Sequence, residues 1–143
     1  MKSFCLGAAT VLGLTLAGSA LAVDVRMLAI EPNVPEGRQY YLDVAKAYEA
    51  ANPGTKVQVD FLDDTSVEAK LPTRLRSAGR PDAFFTWTGG VFAGQAKAGV
   101  LKDISADVTD ADRKNYSPSG IQAMGHGGKV YGAPMYAASV VLW

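Results

Sequence analysis

Between residues 25 and 98 the hydrophobic pattern switches repeatedly from strand period to helix period, and this restricts the possible folds more than any other feature. Residues 25–30 (VRMLAI) are a short apolar run of the kind a buried strand requires. A loop holding Pro32, Pro35 and Gly37 leads to residues 39–51, where Tyr41, Val44, Ala45 and Tyr48 recur at helical spacing and predict an amphipathic helix. Asn52, Pro53 and Gly54 end it. Residues 56–62 (KVQVDFL) alternate as a strand does, with Val57, Val59 and Phe61 on one face. Thr65 and Glu68 resemble a capping box opening a second helix that turns Leu71 and Leu75 inward. Pro72 predicts that this helix either kinks or starts only there. Residues 83–87 (AFFTW) read as a third strand, and 91–98 as a third helix stopped by Gly99. Three consecutive strand–helix units imply an α/β fold in which a parallel sheet is connected by right-handed crossovers.

Beyond residue 100 the pattern weakens. Residues 101–107 read as a loop or short strand, 110–116 as holding a helical turn, and 118–124 as a short helix with proline in its first turn. His126, Gly127 and Gly128 predict a tight turn feeding residues 129–131, and 138–143 (ASVVLW) read as a last apolar strand. The sequence then stops at Trp143, with no polar tail after the strand. The expectation is therefore a fragment of a larger domain.

The first 22 residues predict export. Lys2 precedes an apolar run from Phe4 to Ala17, and a break at Gly18 and Ser19 leads to Ala20-Leu21-Ala22, a small-x-small cleavage motif. The run approaches the length of a membrane span, but its glycine and alanine content and the cleavage motif favour a signal peptide, residues 1–22, cut after Ala22. Cys5 is the only cysteine and lies inside that segment, so residues 23–143 hold no disulfide and no thiol nucleophile. Val23 stands where a lipoprotein would need its cysteine. The formal net charge is zero and no basic stripe interleaves with aromatics, which argues against nucleic acid as a partner.

Ligands of parallel α/β sheets bind beyond the carboxyl ends of the strands. That rule selects Glu31 and Asn33 after the first strand, Asp63 and Asp64 after the second, and Trp87, Thr88, Gly89 and Gly90 after the third. Carboxylates and an amide suit hydroxyl groups, an indole face suits the C–H face of a sugar ring, and glycines admit a ligand to the backbone. Tyr136, after Gly132-Ala133-Pro134, is a further candidate aromatic. Each has a plainer reading: Asp63 and Asp64 as a solvated loop, Trp87 as core. His126 has no second His or Cys at ligand spacing, which argues against a metal. Gly127-Gly128-Lys129 is not a phosphate-binding loop, because Ala123 replaces the first glycine and Val130 follows the lysine. No nucleophile–base pair stands out, so a ligand-binding module without catalysis or cofactor is expected.

The blocks "EAANPGTKVQV", "KLPTRLRSAGRPDAFFTWTGG", "AKAGVLKDIS", "GGKVYGAPM" and "VVLW", in that order, resemble the family 1 extracellular solute-binding proteins of bacterial importers. The resemblance implies a periplasmic-binding-protein-like (type II) N-terminal lobe, a three-layer α/β structure with a parallel sheet, incomplete without a second lobe that closes on the ligand by a hinge. It implies that residues 138–143 lie near the first crossing between lobes. It further implies a periplasmic, monomeric protein that carries a mono- or oligosaccharide to the permease subunits of an ATP-binding cassette (ABC) importer. Trp87 matches the tryptophan that many members place at the sugar. Thr88, Gly89 and Gly90 stand where the maltose binder has larger, partly charged groups, and Ala138 stands around the position where it has an acid, so the resemblance does not carry over maltose itself as the ligand. A non-sugar solute such as a polyamine, a glycerol-phosphate-type anion or a metal complex is the alternative. An anion would want Arg or Lys at the strand ends, and the clusters there contain none. A further alternative is a truncated chain without function.

Overall fold

A computed structural model describes residues 23–135. The signal peptide expected at 1–22, Tyr136 and the strand expected at 138–143 lie outside the described residues. Ten elements follow in order: β1 (Val23–Ile30), α1 (Pro35–Ala51), β2 (Thr55–Leu62), α2 (Asp64–Arg74), β3 (Ala83–Phe84), α3 (Gly90–Lys97), α4 (Asp110–Arg113), α5 (Pro118–Ala123), β4 (Gly125–His126) and β5 (Lys129–Val130).

The first three strands form a parallel sheet in the order β2-β1-β3. β1 pairs with β2 along its whole length, from Val23 opposite Thr55 to Ile30 opposite Leu62. Successive strand residues face opposite sides, and the two sides meet different helices. Ala29 and Phe61 are partners in register, and Phe61 meets the Tyr41 ring of α1 edge-on at 5.7 Å. On the other side Leu28 is buried with Val67, Leu71 and Leu75, and Ile30, Leu62, Phe84, Trp87 and Val100 pack around them. The sheet is thus the middle of three layers, α1 on one face and α2 on the other. Burying a Leu or Val side chain is worth about 1.5–3 kcal/mol, so the Leu28–Val67–Leu71–Leu75 cluster is the main apolar support of these residues.

Several boundaries depart from expectation, each for a local reason. α1 begins at Pro35 rather than residue 39: the fixed φ of proline suits the first helical position, and no side chain caps the turn. Of its predicted apolar side, Ala45 is buried, whereas Val44 and Tyr48 are about half exposed, at 50% and 51%. α1 packs chiefly on β2, the edge strand, so half of its stripe overhangs the sheet. α2 is capped by Asp63, whose side chain accepts the Ser66 N–H at 2.9 Å. Thr65 is not its cap. Pro72 lies inside the last turn of α2, where the backbone it leaves unbonded is at the exposed surface. β3 has only two residues. The Phe85 N–H still reaches the Leu28 carbonyl at 2.9 Å; then the Thr86 hydroxyl bonds Gln95 of α3 at 2.9 Å and the chain leaves the sheet.

The remainder is a small satellite. α4 carries a complete capping box between Thr109 and Asp112, and Ser117 caps α5. β4 and β5 form an antiparallel hairpin. Gly127 and Gly128 have φ of 57° and 78°, the left-handed pair that a two-residue hairpin turn needs. This hairpin is pinned to the preceding loop: Ile104 N–H donates to the Val130 carbonyl at 2.8 Å, and Val130 N–H donates to Ser105 Oγ at 2.9 Å.

Candidate functional site

Parallel strands end on one edge, so the three clusters selected from the sequence share that edge. They do not share one cavity. A cleft of about 510 Å³ opens where β1 runs into α1, and it is lined by Glu31, Pro32, Asn33, Arg38, Gln39 and Leu42 among others. Glu31 and Asn33 belong to it. Asp64, Trp87, Thr88 and Gly89 stand at the ends of β2 and β3 and do not line it.

The geometry of the cleft begins with Glu31. Its N–H donates to the Leu62 carbonyl at 2.7 Å, extending the β1–β2 pairing by one residue and fixing where its side chain leaves the sheet. Both carboxylate oxygens are held by Arg38: Nε donates to Oε1 at 3.0 Å and a terminal nitrogen donates to Oε2. The guanidinium lies over the Phe61 ring, 4.3 Å from its centroid, a cation–π contact. Gln39 donates to Asp43 one turn further along α1, at 2.8 Å. The cleft wall is therefore a bidentate ion pair flanked by two amides, on a floor of proline and leucine.

Of the remaining candidates, Asp63 is engaged as the α2 cap, which answers its role structurally, and Asp64 is exposed in the first turn of that helix. Trp87 is half-buried: it packs against the Leu28 cluster and meets Phe85 edge-on at 5.5 Å. Thr88 and Gly89 are exposed. Gly89 has φ of 76°, and a Cβ there or at Gly90 would meet no atom within 4 Å, so the backbone before α3 is open to approach. Sequence reasoning missed Arg38 and Gln39. One signal was available: a basic residue in the early turns of a helix opposes the helix dipole, and seven residues upstream stands an acid that compensates it.

A second, smaller hollow of about 220 Å³ lies between Ile104, Val108, Tyr116 and Ile121. Its two carboxylates are committed, Asp107 to Lys102 at 3.2 Å and Asp112 to the α4 cap. Among the described residues no group of His, Cys, Asp and Glu is arranged to hold a metal, and no helix is long and apolar enough to cross a membrane.

The model of one protein family, described as bacterial extracellular solute-binding protein, matches residues 31–143. The chain belongs to this family. One relative of this solute-binding protein is an uncharacterized ABC transporter extracellular-binding protein of Pyrococcus horikoshii, 28% identical over 100 residues, covering 69% of this chain and 23% of the relative. Among solved structures, a chitin oligosaccharide binding protein is 27% identical with a TM-score of 0.65, covering 77% of this chain and 28% of that one. A structure from work on xylan utilization by Caldanaerobius polysaccharolyticus superposes with a TM-score of 0.68 at 16% identity, covering 76% and 28%. The α/β solute-binding fold with its parallel sheet is thereby shown. The chain spans about a quarter of the length of the relatives it matches.

Proposed function

We propose that this chain contributes the first lobe of a two-lobed solute-binding protein that captures an oligosaccharide outside the cytoplasmic membrane and passes it to the permease of an ABC importer. The observation that carries the reading is the carboxyl edge of the sheet. There an ion-paired, amide-flanked cleft at Glu31 and Asn33 stands on the same edge as Asp64, the half-exposed Trp87 and the open backbone at Thr88 and Gly89. Such an edge offers hydroxyl partners, a ring face and backbone access together. The likeness to a chitin oligosaccharide binding protein supports the sugar class. In this reading residues 1–22 direct export and are removed after Ala22, the mature protein is periplasmic, Tyr136 joins the site, and a second lobe closes over the ligand. No step of catalysis is assigned to it.

Calorimetric titration of the protein with chitotriose and mannotriose, beside the Trp87→Ala variant, tests the proposal. Binding by the wild type and a loss of about 1.5–3 kcal/mol in the variant is expected, the scale of an apolar side chain losing its buried surface. That corresponds to roughly ten- to 150-fold in Kd. A wild type that binds neither saccharide overturns the function. Unchanged affinity with a lowered Tm in the variant returns Trp87 to the core.

A further inference from the structure

We propose that the Glu31–Arg38 pair acts as a charge filter in the cleft, making it select uncharged polyhydroxy ligands and withholding the Arg38 guanidinium from anionic ones. The inference deepens the sugar-binding reading and rests on it.

Among the described residues Arg38 and Glu31 are the only ionisable ones that line the cleft, and they cancel. The two other hydrogen-bonding side chains there are the amides of Asn33 and Gln39. Arg38 on its own is a fork that fits a carboxylate or phosphate. Here the Nε and one terminal nitrogen of that fork are spent on the two oxygens of Glu31, and the Phe61 ring beneath holds the guanidinium in place. A uronate or sugar phosphate arriving at the cleft would have to displace Glu31 and meet its like charge. A neutral diol meets neither obstacle: each Glu31 oxygen keeps a lone-pair direction for a hydroxyl, and Arg38 keeps donors beyond the two it gives to Glu31. Arg38 is thus a positioning residue for Glu31, and Glu31 is the residue that sets the sign of the site.

Two probes of matched size separate the possibilities: chitotriose as the neutral ligand and trigalacturonate as the anionic one. Each is titrated against the wild type, Glu31→Gln and the double variant Glu31→Gln/Arg38→Gln, with a melting curve for each protein. The wild type should bind chitotriose and reject trigalacturonate. Glu31→Gln is nearly isosteric but frees the guanidinium, so it should gain trigalacturonate affinity by roughly ten- to 100-fold, the reach of one or two charge-assisted hydrogen bonds. The gain should shrink as salt rises. The double variant removes both charges and should lose that gain. A wild type that binds both probes equally, or a folded Glu31→Gln that gains no anionic affinity, overturns the filter while the sugar-binding function stands. A wild type that binds neither probe overturns that function and the filter with it.

Discussion

Arg26 and Asp82 hold each other by two reciprocal bonds: the Arg26 N–H donates to Asp82 Oδ2 at 2.9 Å, and the Asp82 N–H donates to the Arg26 carbonyl at 2.8 Å. Through them the segment before β3 is fastened to β1, one residue upstream of the Met27–Ala83 pairing. The acid of the Arg-Pro-Asp block is therefore a device of sheet assembly. Asp82→Ala removes the acceptor of a β1 backbone donor and should destabilise the fold by about 1 kcal/mol, the net worth of one such bond. Urea denaturation measures it, and an unchanged midpoint would show that β3 docks without this clasp.

Leu71 is 3% exposed and joins the layer between α2 and the sheet. Leu71→Ala should cost about 2–4 kcal/mol, transfer and cavity contributions together. The same denaturation experiment on Leu42→Ala, which is 36% exposed, should show a much smaller loss. Equal losses would contradict the burial pattern.

Two glycines of one segment should respond oppositely to alanine. Gly89 has φ of 76°, a conformation that strains any Cβ, so Gly89→Ala should destabilise by about 1 kcal/mol. Gly94 lies within α3 and a Cβ there meets nothing within 4 Å, so Gly94→Ala should stabilise by about 0.5–1 kcal/mol. Thermal melts of the two variants decide this by sign alone.

The loop–hairpin clasp should titrate at both ends of the pH range. Hydrogen bonding from the Ser105 side chain, then from its backbone, and the partner Lys129 bring Asp103 down to about 2. The hydrogen bond that Lys129 donates to the Asp103 carboxylate raises Lys129 above its usual 10.5. A depressed acid stabilises the fold above its unfolded value and loses that contribution as pH falls through the folded one; a raised base does the reverse. The clasp should hold fully between about pH 4 and pH 10, weaken towards pH 2 on the acid side and again above 10.5 on the basic side. Hydrogen exchange at the Val130 amide, which Ser105 binds, reports it. Asp103→Asn should abolish the acid limb, and an acid limb that survives the substitution would assign it to another carboxylate.

The acid clasp and Arg38 mark the limit of what could be read from residue order. Residues 56–62 show an alternation that a buried strand face cannot avoid, so β2 and its apolar side were legible, as were the inward Leu71 and Leu75. Gly99 and the two glycines at 127 and 128 announce left-handed turns that other residues resist. The cap of α2 was misplaced by two residues because Asp63 and Thr65 are both good caps, and local chemistry alone does not choose between them. Val44 and Tyr48 carry the helical apolar period but stay half exposed, on a helix that packs on the edge strand of the described sheet. Periodicity records which face a helix would bury; it does not record how wide the sheet is.

The order of residues thus determined the α/β class, the parallel succession of strands and the edge on which the candidate groups gather, because these follow from local period and chain connectivity. The tertiary structure decided which of those groups meet. Glu31 and Arg38 are seven positions apart, across a strand end, a proline-bounded loop and the first turn of α1, and they pair only because Glu31 leaves the sheet beside Leu62 and Phe61 seats the guanidinium. Trp87 and Asp64 share that edge, yet the cleft at β1 does not include them. Strand order and the angle at which each chain leaves the sheet set those distances, and both arise from contacts between residues far apart in sequence.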